Sequence, residues 1–535
     1  MAKVSVAQPA VVPQSSLLEG VYDVLVVGAG HNGLVAALCA ARAGLRVLVV
    51  ERANVIGGAT RTEYPFTRAP ELPQSTGAYL LGLMPPELLR KLEIEIPVLR
   101  RDPHYFLPRQ TQGYLLFGSN QAELERQFVQ FFSRTDFEAH QRLQAELNAL
   151  REDIAPTWLT QPHSIEETAE RYVRPALRQA FIRLCRGSIG EYLDRFGFKS
   201  DLVKAMYAVT DGFSGLYGGY DSPGTGMNFL IHNMCRLPGS DGTWMIVEGG
   251  MGTVAHSLAS ALARHGGSIV VDAPVQSIIL EGETARGVVL EDGTELRARA
   301  VLVNADPFRL QQLVGETNLP APYNARLAEM KRPGSTLKIN LALEKAPSFR
   351  CLPQQGGQFG PTIHLLPDES GVLAELERGW QAVQRGQLAD FPSIEWYMHS
   401  TVDRSLSDTQ GRISSAFFVQ WVPYQLSGTS WDEAGERYAR RLLEIADLFA
   451  PGTSSLVTDW QILHPQKIEQ HFGISHGHIH HIDNSFGFAD RLPHRTPIAG
   501  LYSASAGTHP AGSVIGCAGY LAANECLRDL GVATV

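Results

Sequence analysis

The first residues in the chain able to act together chemically are the glycines of Gly28-Ala29-Gly30-His31-Asn32-Gly33, together with Glu51. A turn of this pattern lets a diphosphate lie against bare backbone. Gly28 permits the tight turn, Gly30 the approach of the phosphates, and Gly33 the close packing of the helix that follows. That helix's N-terminus, entered through His31 and Asn32, offers free N–H groups and a partial positive charge. Glu51 stands eighteen residues beyond Gly33. A carboxylate there accepts hydrogen bonds from ribose hydroxyls and repels a 2′-phosphate. Arg52 follows it. The chemistry implied is dinucleotide binding.

Such a turn works only between a strand and a helix, and the flanking residues supply both. Residues 23–27 are an apolar run of the kind buried in parallel sheets. Residues 34–43 are rich in Ala and Leu and stop at Gly44, as a helix does. Residues 46–50 are a second apolar strand ending at Glu51. Three further features favour FAD over NAD. A second glycine pair lies in Ile56-Gly57-Gly58-Ala59-Thr60. The run Glu248-Gly249-Gly250-Met251-Gly252 lacks a preceding apolar strand, so no second nucleotide domain is evident. A glycine-rich turn, Gly507 to Gly512, precedes an apolar helical pattern near the C-terminus.

Helical spacing marks 122–132, 136–153 and 165–185, so residues 101–240 read largely as helices. Beyond Gly249 the periodicity predicts a helix over 254–264 and strands over 268–271, 275–281, 287–291, 294–299 and 300–304. Asp292-Gly293 is a hairpin signal between two of these strands. Strands at 337–343 and 414–421 and a helix at 431–449 follow. Nucleotide-domain features thus recur at three separated places. The expectation is an α/β fold: a discontinuous Rossmann-type FAD-binding domain over 20–100, 240–310 and 490–535. A mixed α+β substrate domain, 101–239 and 311–489, is inserted in it.

The histidines of His476-Gly477-His478-Ile479-His480-His481 are conspicuous, but no Asp, Glu or Cys partner has clear ligand spacing, and no metal site is expected. The loop is expected to border the cavity, where a histidine such as His480 moves a proton near neutral pH. A net charge of −9 without any Lys/Arg-rich run excludes nucleic acid as the expected partner. The six cysteines include no C-x-x-C pair, so no redox dithiol is indicated. The first twenty residues lack a signal-peptide pattern, and no apolar run approaches ~18 residues. The expectation is a soluble, cytoplasmic protein, at most peripheral to a membrane.

Seven segments carry a resemblance: VVGAGHNGLVAA at 26–37, IGGA at 56–59, AYLLGL at 78–83, EGGMGTV at 248–254, GVVLEDGTE at 287–295, LKINLAL at 337–343 and AGTHPAGSVIGCAG at 506–519. On these the chain resembles the phytoene desaturase-like flavoproteins of the amine oxidase superfamily, with the O-type β-carotene ketolases nearby, from about residue 22 to 526. The resemblance implies non-covalent FAD and a hydride moving between flavin N5 and a long apolar, carotenoid-like substrate. Dehydrogenation, desaturation or redox-neutral isomerisation would serve. Residues 128–132 and 227–231 would form the substrate mouth or simply core. Gly28, Gly30, His31, Asn32, Gly33, Glu51, Arg52, Gly57, Gly58, Ala59 and Thr60 would hold the nucleotide, with Val275 meeting adenine through its backbone.

The resemblance further implies that Gly507, Ser513 and Val514, at the start of a helix from about Ser513, face the flavin's pyrimidine side. Lys338 would hold a water near N5, and His480 and His509 are the other catalytic candidates. Ser513 stands where amine oxidases place an aromatic of the amine cage, which disfavours a flavin amine oxidase. That reading and a flavin-bearing interaction protein with little catalysis are the alternatives.

Overall fold

The computed structural model describes residues 10–14, 20–352 and 359–535. Most of the first twenty residues, read above for targeting signals, and residues 353–358 of the expected substrate unit lie outside the described residues. Fourteen strands build two seven-stranded sheets. In chain order they are β1 (Tyr22–Val27), β2 (Val47–Val50), β3 (Tyr105–Pro108), β4 (Tyr114–Phe117), β5 (Ser268–Val270), β6 (Val275–Glu281) and β7 (Thr284–Leu290). The rest are β8 (Glu295–Val303), β9 (Thr336–Leu343), β10 (Thr362–Leu365), β11 (Ser393–Met398), β12 (Ile413–Gln420), β13 (Val457–Leu463) and β14 (Leu501–Ser503).

The first sheet runs β6-β7-β8-β1-β2-β5, with β14 added to β8 over Val301–Val303. Its centre, β8-β1-β2-β5, is parallel and buried on both faces, which is why Val-Leu-Val-Val runs form it rather than alternating patterns. Helix α1 (His31–Arg42) leaves β1 and lies on this sheet. A Cβ on Gly33 would sit 2.2 Å from the Gly28 carbonyl, so the helix could not start this close with any other residue. Parallel neighbours end at the same edge of the sheet. Gly28 after β1, Glu51 after β2 and Asn304 after β8 therefore meet there, as ligand sites of open α/β sheets require.

The second sheet runs β13-β9-β12-β11-β10-β3-β4. Strand side chains alternate between faces, and β9 shows the consequence. Leu337, Ile339, Leu341 and Leu343 face one way into an apolar cluster, while Thr336, Lys338 and Asn340 face the other. The same division runs through Ile394/Trp396 against Glu395/Tyr397 in β11 and Phe417/Val419 against Phe418/Gln420 in β12. The apolar face is covered by α2 (Trp431–Phe449), which packs Ala434, Tyr438, Leu442 and Ile445 against it. The polar face is also buried, and it turns toward the first sheet's ligand edge.

Four expectations are corrected. The region 101–240 is not only helical, because β3 and β4 pair as a hairpin and β3 joins β10 of the second sheet. The helix expected over 165–185 is broken into Ile165–Tyr172 and Arg178–Arg186 by a short turn at Pro175–Leu177, since proline cannot continue a helix's hydrogen bonding. The strands expected at 294–299 and 300–304 are one continuous strand, β8. Finally, α3 (Cys517–Asp529) begins at Cys517 rather than near Ser513, because Gly516 takes a left-handed conformation (φ 82°) as its N-cap.

Phe417 is fully buried, edge-on to Trp396 with ring centroids 5.3 Å apart. Phe417→Ala is expected to cost about 3–5 kcal/mol, read as a lower urea midpoint with an unchanged slope.

Candidate functional site

A cavity of about 580 Å³ lies between the ligand edge of the first sheet and the polar face of the second. That volume is in the range of cofactor and ligand sites. One part of its wall is bare main chain: Gly28, Gly30 and the start of α1 on one side, Gly57–Thr60 on the other. The two segments are tied by the Gly57 N–H donating to the Ala29 carbonyl at 2.9 Å. A Cβ on Gly30 would lie 2.5 Å from Asn304 Nδ2, so a side chain there would have to displace Asn304. The cradle fits a diphosphate, whose acceptors suit exposed N–H groups and a helix N-terminus.

Glu51 is buried beside this wall. Its Oε2 accepts from the Ala29 N–H at 2.8 Å and its Oε1 from the Ala53 N–H at 2.9 Å. Two amides thus fix the carboxylate, and each oxygen keeps a further lone pair for a hydroxyl donor. Val275, Ala273 and Pro274 line the cavity with it. Arg52 donates to the His471 carbonyl at 3.2 Å, and Thr60 Oγ1 to the Gly57 carbonyl at 2.6 Å. The His31 ring is half-buried, hydrogen-bonded to the Ser513 backbone and held down to about 4 by desolvation. Asn32, Ser513 and Val514 also line the space.

The remaining wall is the polar face of the second sheet. The registers set Leu463, Lys338, Phe418, Glu395 and His364 side by side in one row across five strands. The first four of these line the cavity. Lys338 Nζ donates to the Ser75 and Gly77 carbonyls, each at 2.6 Å, and lies 4.7 Å from the Tyr79 ring centroid. Burial pushes its pKa well below the usual lysine range, against the opposing pull of Glu63. Glu395 Oε2 accepts from the Tyr397 hydroxyl, while Oε1 has no partner. Desolvation, helped by Asp211, raises Glu395 to about 8.

The histidine loop is pulled apart by its backbone. His476 and His481 have left-handed φ values of 61° and 64°. His478 pairs with Asp483 at 3.1 Å, and the His476 ring stands against Phe308. Among the described residues no group of three or more His, Cys, Asp or Glu is placed to hold a metal ion. His480 does line the cavity, its Nε2 3.0 Å from the Ser214 carbonyl, but burial lowers it to about 3. A ring that stays neutral at pH 7 accepts or donates a hydrogen bond and does not cycle a proton there. That replaces the proton-moving role expected of it.

Other expected residues stand elsewhere. His509 is buried outside the cavity lining, with Nε2 3.0 Å from the Thr157 carbonyl. Gly507 is outside it too, held by Ser505 Oγ and Arg491. The segments 128–132 and 227–231 do not line the cavity; Phe128 and Met227–Ile231 are core. Conversely, sequence reasoning missed Asn304, Arg309, Tyr79, Trp244, His232, Glu395 and Tyr397, all cavity-lining. A carboxylate inside the apolar alternation of Ser393–Met398 was the readable signal for Glu395.

Residues 33–371 match the family model described as flavin containing amine oxidoreductase. The chain is 32% identical to pyridine nucleotide-disulfide oxidoreductase domain-containing protein 2 of Rattus norvegicus, over 95% of this chain and 94% of that one. It is 24% identical to one of the subunits of limonene dehydrogenase from Castellaniella defragrans, over 95% of each. It is also 24% identical to a lycopene-forming phytoene desaturase of Pseudescherichia vulneris, over 92% of this chain and 96% of that one. Among solved structures, a putrescine oxidase with a redesigned cofactor site shares the fold. The TM-score is 0.58 at 15% identity, covering 95% of this chain and 99% of that one.

The raised pKa of Glu395 has a stability consequence. The unfolded chain loses this proton near its ordinary 4.5, the folded chain only near 8. Between those values the folded state binds more protons, so this group's contribution falls as pH rises. Glu395→Gln removes the dependence. Its melting temperature relative to wild type is expected to rise by about 2 °C between pH 5 and pH 8, measured by calorimetry.

Proposed function

Because the chain belongs to the flavin-containing amine oxidoreductase family, a family of FAD-dependent oxidoreductases, we propose that it is a dehydrogenase acting on a C–H bond of a substrate with a largely apolar body. The observation that carries this is the joining, in one cavity, of a diphosphate cradle and the row Lys338–Phe418–Glu395. Bound FAD supplies a two-electron hydride acceptor, chemistry that belongs to the cofactor and leaves positioning and electrostatics to the protein.

The chain's own residues divide that work. The Gly28–Asn32 and Gly57–Thr60 segments would hold the diphosphate, and Glu51 the ribose hydroxyls. Val275 would meet adenine through its backbone, while Ser513 and Val514 border the flavin. Holding is inferred to be non-covalent, since backbone and Glu51 supply the recognition and none of the six cysteines lines the cavity. Lys338 is fixed by two carbonyls and an aromatic face, with a third N–H to offer. Leu80, Trp244, Phe418 and Ile479 give an apolar substrate its packing surface and exclude water. Limonene and phytoene, named for two of the relatives, are hydrocarbons of this class. Among the described residues no helix is long and apolar enough to cross a membrane, so such a substrate would be met at a surface.

Heat-denatured protein is expected to release FAD rather than FMN, resolved by chromatography. Glu51→Arg should retain less than about a tenth of the wild-type flavin, because a buried guanidinium replaces the ribose acceptor; full occupancy would mean the nucleotide lies elsewhere. Anaerobic mixing with terpenes and polyenes should bleach the yellow absorbance. Bleaching by primary amines alone would replace this reading with an amine oxidase.

A further inference from the structure

Resting on the dehydrogenase reading, we propose that the substrate is an oxygenated molecule whose carbonyl or hydroxyl oxygen is bound by the Glu395 carboxyl acting as a neutral hydrogen-bond donor. Glu395 is 3% exposed, lines the cavity and leaves Oε1 with no partner. A buried polar atom of that kind is costly unless something pairs with it. The surrounding polar face shows how far pairing is otherwise achieved. Gln74 donates to Asn340 at 3.0 Å, Asn340 to Gln461 at 2.9 Å, and Lys338 to two carbonyls. His399, Asp211 and Arg101 nearby also carry unpaired atoms, but among the described residues of this face the unpaired oxygen of Glu395 is the one on a residue that borders the space a substrate would fill.

The neighbours decide which ligand chemistry suits it. Tyr397 donates to Oε2, which leaves Oε1 as the carboxyl oxygen without a partner. No salt bridge holds Glu395 among the described residues, and burial, with Asp211, disfavours its charged form against the opposing pull of the Tyr397 hydrogen bond and of Arg101. Arg101, buried, bonded to Trp244 and Thr362 and with Nη2 unpaired, supplies the positive charge that faces this region. Lys338 lies two strands away, about 10 Å at ordinary strand spacing. His364, next in the row, and His399, stacked on Tyr397, are held near 3 by burial and are neutral. Tyr79, Tyr105 and Tyr397 keep their protons. A cationic amine would meet Arg101 without an ionised counter-charge. An oxygen acceptor meets a donor. A neutral carboxylic acid kept protonated by an apolar site is an established way to bind such an oxygen.

Phe418 stands between Lys338 and Glu395 in the row. An oxygen anchored at Glu395 would therefore lay the substrate's apolar body across Phe418 toward Lys338.

The test is calorimetric titration of the FAD-loaded chain with carvone, with limonene, which lacks only the ketone oxygen, and with cyclohexylamine as a cation of similar size. Wild type is expected to bind carvone about tenfold more tightly than limonene. Glu395→Gln, which keeps a donor but can never ionise, should retain that preference within about threefold, and Glu395→Ala should lose it. The proposal is overturned by equal or undetectable binding of the two terpenes to wild type, or by a preference that survives Glu395→Ala. A preference lost equally in the glutamine variant, or one for cyclohexylamine, would also overturn it. Flavin content, measured on each sample, separates these outcomes from failure of the cofactor reading: unchanged flavin with no carvone preference removes only this inference.

Discussion

Glu51 is the residue through which the nucleotide end of the molecule is assembled. Its carboxylate takes the amides of Ala29 and Ala53, its own N–H donates to Val270, and its carbonyl accepts from Ala273. Those four bonds join the turn after β1, the segment after β2 and the end of β5. The Gly57–Ala29 bond then brings in the second glycine pair. A buried carboxylate is tolerable only with such donors. The residue best placed to bind ribose is therefore also the one that holds the site's three walls in register.

The second sheet solves a different problem, that of having two buried faces. One is filled by leucine, isoleucine and aromatics under α2, a packing interaction with few directional demands. The other carries lysine, glutamate, asparagine, glutamine, serine and tyrosine into the interior, where each polar atom needs a partner. Most find one within the protein. Among the described residues of this face, Glu395 Oε1 is the unpaired atom that lies on a cavity-lining residue. A polar face with an unpaired atom bordering a cavity is what a substrate platform requires, because a ligand contact can replace the missing bond.

Much of the nucleotide end was legible in sequence because it is local. The turn, helix, second strand and Glu51 fall within thirty residues, and each carries its own pattern: apolar run, glycine spacing, Ala/Leu periodicity. The substrate end was far less legible. Strands β3, β10, β11 and β13 are short or of mixed composition, and their order in the sheet mixes near pairings such as His364 with Glu395 and distant ones such as Thr362 with Tyr105. Lys338 was recognised through a motif resemblance, whereas Glu395 in Ser393–Met398 matched no motif. The helix boundary at Cys517 was missed because the left-handed Gly516 interrupts an otherwise continuous apolar pattern, something composition does not show. Pro175, by contrast, was readable as a helix breaker inside the 165–185 pattern.

The histidine run shows why density in sequence is a poor guide to chemistry. Four imidazoles within six residues suggest a ligand set or a proton relay. Two left-handed residues interrupt the backbone of the run, and burial disfavours the charged forms of His480 and His481. His478 is spent on Asp483 and His480 on the Ser214 carbonyl. Glu395 is a lone carboxylate in an apolar strand, and that contrast is its only mark in the sequence. Yet the same burial that lowers His480 and His481 raises this acid into the range where it carries a proton at neutral pH. Desolvation acts oppositely on bases and acids. In one low-dielectric cavity it disfavours the charged forms of His480 and His481 while favouring a proton on the glutamate, so the most reactive-looking segment becomes scaffold and the plainest residue becomes the donor.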